Sequence, residues 1–162
     1  MVERLNVPDT KNKQSIYREL VPQILSLLQD ESDLIANMAN VAAVLKEAFN
    51  FFWIGFYIVR EKELVLGPFQ GPVACTRIAY RKGVCGKSWE KKDTIIVTDV
   101  NQFPGHIACS AESKSEIVIP GIVDGHVKFV MDIDSNRLNE FDDIDANYLL
   151  DIVNTIIRQS HF

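Results

Sequence analysis

Glu116-Ile-Val-Ile-Pro-Gly-Ile-Val-Asp124-Gly125-His-Val-Lys-Phe-Val-Met-Asp132-Ile-Asp134 decides the fold of this chain. Two β-rich runs, Glu116 to Val123 and His126 to Asp134, flank an Asp-Gly pair. That pair readily supplies the positive φ angles of a tight hairpin turn, so neighbouring strands are predicted to be antiparallel. On either side of this hairpin the pattern predicts more strands, at Phe52 to Val59, Leu64 to Leu66, Cys75 to Tyr80 and Thr94 to Thr98, with Glu61-Lys62 as a polar turn. Helical periodicity lies mostly at the ends of the chain. Lys13 to Gln29 carries Ile16, Leu20, Ile24, Leu27 and Leu28, with Pro22 as a boundary or kink. Ser32 or Asp33 caps a second helix with the stripe Leu34, Met38, Val41, Ala42, Leu45 and Phe49. A short helix fills Gly83 to Lys91, and Phe141 to Gln159 closes the chain as an amphipathic helix. Strands in the middle and helices at the ends make an α+β arrangement with helices covering one side of the sheet.

The 162 residues are expected to form a single domain: a helical segment over about 13–50, sheet and loops over about 51–135, and the closing helix over about 141–159. No repeat or linker interrupts them. Apolar residues make up 47% of the chain, enough for a full core. A formal charge of −5 with no basic stripe argues against nucleic acid, since nothing would release phosphate counterions. The cluster Lys87 to Lys92, broken by Trp89 and Glu90, reads as a solvated helix end. With no apolar run of spanning length and no cleavable leader pattern, no membrane is expected and a cytoplasmic location is. Thiols are kept reduced there, so a disulfide would be transient and catalytic.

The three cysteines, Cys75, Cys85 and Cys109, all fall in the middle third beside glycine- or proline-punctuated turns. That placement points to chemistry, whether thiol redox, metal binding or nucleophilic attack, more than to three small buried hydrophobes. Strand alternation sets Val130, Asp132 and Asp134 on one face and Phe129, Met131 and Ile133 on the other. Two carboxylates together would repel and raise one pKa, making a proton donor near neutrality. On spacing alone, Asp134-Ser-Asn reads more simply as the start of a turn.

A strict two-residue hairpin would pair Glu116 with Ile133 and turn it away from Asp132 and Asp134. A joint carboxylate site therefore predicts a register break, with Pro120-Gly121 its natural place. Trp53 shares a strand face with Gly55 and Tyr57, which predicts a flat apolar wall with open space before it; packing in the core is the competing reading. His106, three residues before Cys109, offers a dyad with the thiol or a fourth zinc ligand beside three cysteines. The cysteines are ten and twenty-four residues apart, with no closely spaced pair, which disfavours zinc; a surface loop histidine is the preferred reading.

Five stretches stand out: Gly67-Pro-Phe-Gln-Gly-Pro-Val-Ala-Cys75, Gly83-Val-Cys85-Gly, Phe103-Pro-Gly-His-Ile-Ala-Cys109, Ser113-Lys-Ser-Glu116-Ile-Val and Met131-Asp-Ile-Asp134-Ser. Together they resemble the free methionine-(R)-sulfoxide reductases, a family of single GAF-domain enzymes. They come in the family's order over roughly Trp53 to Ser135. The resemblance implies a GAF-like, six-stranded antiparallel sheet flanked by N- and C-terminal helices, commonly dimeric. It implies that Cys109 is the attacking thiol, Cys75 the resolving thiol and Cys85 a second, auxiliary one. Glu116, Asp132 and Asp134 would line the pocket, with Trp53 holding the substrate's methyl end. Glu116 and Asp134 would polarise the sulfoxide oxygen, and Asp132 would help hold the ammonium. A sulfenic acid on Cys109 would then condense with Cys75, and thioredoxin would reduce the disulfide.

Neither a cofactor nor a bound metal is part of that scheme. Two positions depart from the family pattern: Ser110 stands where Asp is often found, and Lys128-Phe129 replaces small residues, with a narrowed pocket or altered hairpin packing as the expected consequence. The rival reading is a GAF-type small-molecule or redox sensor without turnover. A lone domain with three motif-matched cysteines weighs against it.

Overall fold

In a computed structural model, residues 4–107 and 109–162 are described. The expected antiparallel sheet has six strands: β1 (Trp53–Arg60), β2 (Glu63–Gln70), β3 (Arg77–Ala79), β4 (Ile95–Val97), β5 (Ser115–Val123) and β6 (His126–Ser135). Their order across the sheet is β3-β2-β1-β6-β5-β4. Helices α1 (Lys13–Leu28), α2 (Leu34–Phe49) and α4 (Asp143–Gln159) pack on one face; α3 (Gly83–Lys91) lies against the other. Among the described residues no helix is long and apolar enough to cross a membrane.

Strand alternation divides the interior in two. Ile54, Phe56, Ile117, Ile119, Phe129, Met131 and Ile133 meet the helices in the larger core. Trp53, Tyr57, Val118 and Val130 face the opposite way, toward α3 and the loops. The ends of the helices are set locally: Asp33 caps α2 by accepting from the Ala36 amide, and Asp142 and Asp145 form a reciprocal capping box at α4. α4 therefore starts at Asp143 rather than Phe141. α1 runs unbroken through Pro22, because Ile16, Tyr17, Leu20, Ile24 and Leu28 bury on both sides of it. That burial offsets the ~3 kcal/mol a helix-interior proline costs. Lys13 and Tyr17 of α1 also grip Asp145 of α4, the tyrosine hydroxyl donating at 2.9 Å.

Two irregularities shape the sheet. β2 continues past Leu66 through Gly67-Pro68, which bulge opposite Phe56; a proline fits there because a bulge asks for no ladder amide. In the β5–β6 hairpin, Asp124 (φ 50°) and Gly125 (φ 74°) make the expected two-residue turn. The pairing then shifts between Ile122↔Val127 and Gly121↔Phe129, leaving Lys128 as the extra residue. Beyond that shift Glu116 pairs with Asp134, not with Ile133. The register break falls where a shared carboxylate face requires it. Phe129 fills the space that Gly121 leaves: a Cβ at Gly121 would sit 2.4 Å from its ring. The ring also packs edge-on to Phe56 and stacks on Phe162. The Lys128-Phe129 departure thus alters packing on the helix side, and Phe129 does not line the pocket described next.

Candidate active site

The site grows from the face of the sheet that the long helices leave free. β1 contributes Trp53 and Tyr57, β5 Glu116, and β6 Asp132 and Asp134; α3 contributes Val84 and Cys85. Two loops complete the wall, with Pro72, Val73 and Ala74 before β3 and His106, Ile107, Cys109, Ser110 and Ser113 before β5. Together they enclose a cavity of about 40 Å³.

Cys75 and Cys109 are joined by a disulfide, with their Cα atoms 5.5 Å apart. Cys109 is exposed and Cys75 half-buried. β1 holds the Cys75 loop by two side chains. The Trp53 indole nitrogen donates to the Pro72 carbonyl at 3.0 Å, and the Tyr57 hydroxyl donates to the Cys75 carbonyl at 2.9 Å. The indole also lies over Gly55, whose added Cβ would fall 2.4 Å from it, and stacks on Phe69. The open space expected before that glycine is therefore taken by the indole itself. Trp53 still lines the pocket.

Glu116, Asp132 and Asp134 share this face, so Asp134 belongs to the strand and not to a turn. Ser135 extends the ladder beyond it by pairing with Ser115. All three carboxyls are pushed up by burial. Glu116 is raised well above the usual carboxyl range by desolvation and by the charge of Asp134, while its hydrogen bond with Asp132 pulls the other way. Asp132 is raised by desolvation and then by its two acidic neighbours. Asp134 is raised by desolvation to about 6, held back by the Ser113 hydroxyl and by His106. The cluster therefore binds protons more tightly than free carboxyls do, which suits acid catalysis. One acceptor, Asp132 Oδ1, is buried with no hydrogen-bond partner in the protein.

Cys85 lies in the first turn of α3, fully enclosed, with its thiol hydrogen-bonded to Asp132. Burial and the nearby carboxyls push that thiol well above its ordinary pKa. Such a thiol is a poor nucleophile but a serviceable donor. Ser110, at the other departure, accepts from the Glu112 amide at 3.2 Å and so fastens the loop after Cys109.

His106 corrects the surface reading. Its side chain is only 13% exposed, and Nε2 lies 3.4 Å from Glu116 Oε2. Burial lowers its pKa, partly countered by Asp134. It faces the carboxyls. Ser113 and Ile107 were likewise unmarked as site residues, since each lies in a loop without periodicity. The one available signal was the Phe-Pro-Gly-His turn that ends three residues before Cys109.

A family model described as a GAF domain matches residues 29–156. The chain is 57% identical to GAF domain-containing protein A of Dictyostelium discoideum, over 88% of this chain and 90% of that one. It is 41% identical to the free methionine-R-sulfoxide reductase of Escherichia coli, covering 88% and 87%. In structure it resembles the free methionine-R-sulfoxide reductase of Neisseria meningitidis in complex with its substrate. That match has a TM-score of 0.95 and 50% identity, and spans 98% of this chain and 95% of that one.

Proposed function

Because the chain belongs to the free methionine-R-sulfoxide reductases, a family of GAF-domain oxidoreductases, we propose that it reduces free methionine-(R)-sulfoxide at the Cys75–Cys109 pocket. The observation that carries this reading is the disulfide at the rim of a pocket lined by three buried carboxyls whose pKa values are raised. A sulfoxide oxygen leaves only when protonated or strongly hydrogen-bonded, so a thiol beside buried acids suits the reaction.

The Cys109 thiolate attacks the sulfoxide sulfur while Glu116 and Asp134 between them deliver one proton to its oxygen. The oxygen passes to Cys109 as a sulfenic acid and methionine departs. The Cys75 thiol then displaces that oxygen as water, leaving the disulfide, so two thiols are oxidised for each sulfoxide reduced. Thioredoxin or a similar dithiol restores both thiols by exchange. Asp132 holds the substrate ammonium, and Trp53 packs on the S-methyl group. Recognition of the ammonium in a small pocket favours the free amino acid over a peptide-bound residue. The two copies expected of a homodimer would each carry a complete pocket.

The test is NADPH oxidation with thioredoxin and thioredoxin reductase. It compares free methionine-(R)-sulfoxide, the S isomer and a peptide-bound R sulfoxide. Turnover confined to the free R isomer is expected. Failure to turn over, together with no single-cycle reduction by the reduced protein alone, would sink the proposal and favour a sensor.

A further inference from the structure

We propose that the pocket floor is a binding site for a thiophilic divalent cation of the Zn²⁺ class, formed by Cys85, Glu116 and Asp132. The ligand atoms of Cys85, Glu116 and Asp132 all lie within 4.8 Å of one another, and each residue is buried. Such a cluster offers one sulfur and two oxygens, with the fourth position of a tetrahedral cation left open.

The independent observation is Asp132 Oδ1. It is a buried carboxylate oxygen on a pocket-lining residue, with no hydrogen-bond partner. Such an atom costs free energy until a cation or donor meets it. The donor set then decides which cation. A thiolate favours zinc over magnesium or calcium, which prefer oxygen alone.

Binding exchanges protons for metal. The cation displaces the Cys85 thiol proton and any protons on the carboxyls it takes, so the site tightens as pH rises. Neither ligand set nor proton count involves Cys75 or Cys109. The cation therefore binds the disulfide form as it stands, and no redox change accompanies it. Since the ion takes Glu116 and Asp132, it also shuts the substrate out; that consequence rests on the reductase reading, whereas the binding does not.

Co²⁺ is the probe, added to the full chain with its disulfide intact. The expected result is saturable binding with a thiolate-to-cobalt charge-transfer band, proton release, displacement by Zn²⁺, and no displacement by excess Mg²⁺. Cys85→Ser should abolish the band. Asp132→Asn and Glu116→Gln should each keep it while weakening binding by at least about ten-fold, the scale set by losing even an outer-sphere partner. Urea unfolding of each variant shows that the fold is retained. A band that survives Cys85→Ser, an affinity unchanged in both other variants, or no saturable binding would each overturn the assignment. None of these readouts depends on turnover.

Discussion

Glu116 stands directly across the ladder from Asp134, and it does so because Lys128 is the extra residue of a bulge opposite Gly121. Without that shift the two acids would occupy opposite faces of the sheet. The bulge is sealed by Phe129, whose ring occupies the place of a Gly121 side chain. Gly121→Ala is expected to destabilise the fold by ~1–3 kcal/mol through overpacking. The penalty should largely vanish in a Phe129→Ala background. Urea unfolding of the four proteins measures the coupling, and equal penalties in both backgrounds would show that the ring does not hold the bulge.

Division of labour between the cysteines is readable from stoichiometry. Cys109→Ser is expected to abolish methionine formation. Cys75→Ala should release about one methionine per reduced chain and then stop, because a sulfenic acid forms with no resolving thiol. Quantifying methionine in a single-turnover mixture separates the two. Sustained wild-type turnover by Cys109→Ser would move the attacking role elsewhere.

The raised carboxyls make stability depend on pH in a definite direction. In the folded chain Asp134 holds its proton up to about pH 6, whereas an unfolded aspartate loses it near 3.9. The folded state thus binds more protons between those values. Asp134's contribution to stability is complete below the lower pH and is lost as pH rises through the upper one. Burial acts on Glu116 and Asp132 in the same sense. Asp134→Asn should stabilise the protein at pH 7 by up to ~3 kcal/mol and flatten its stability profile between pH 4 and 6, while depressing turnover. Denaturant midpoints across pH check it, and a midpoint that falls at pH 7 would contradict it.

Tyr57 holds the Cys75 loop by one hydrogen bond to the Cys75 carbonyl. Tyr57→Phe removes the donor and leaves a half-buried acceptor, at a cost of ~1–3 kcal/mol. The expected effect is faster amide hydrogen exchange over residues 71–76 and slower closure of the disulfide. Single-turnover methionine release should change less than the thioredoxin-supported rate. Equal losses in both would mean that Tyr57 acts on the attack and not on resolution.

How far these features were legible differs by element. The hairpin and the α3 span follow from strong local chemistry, an Asp-Gly turn and a short glycine-led helix, and match to within a residue. Even the bulge followed from a conflict, since a strict hairpin and a shared acidic face cannot coexist. Gly67-Pro68 misled as a loop, because a bulge removes the hydrogen bond that makes proline a strand breaker. Pro22 misled for a tertiary reason, the buried face on both sides of it. Asp134 needed its partner strand before turn propensity could be set aside. His106 was the real loss at the site: whether a loop histidine faces inward depends on how the loop folds back, and period carries no word of that.

Cys75 leads into β3, at one border of the sheet, and Cys109 into β5, four strands across. Their bond therefore laces the two loops together over the central strands. On the proposed chemistry this lacing forms once per sulfoxide consumed and persists until an outside dithiol cuts it. A population of chains is then a tally: the laced fraction counts the turnovers accumulated since the last encounter with reductant.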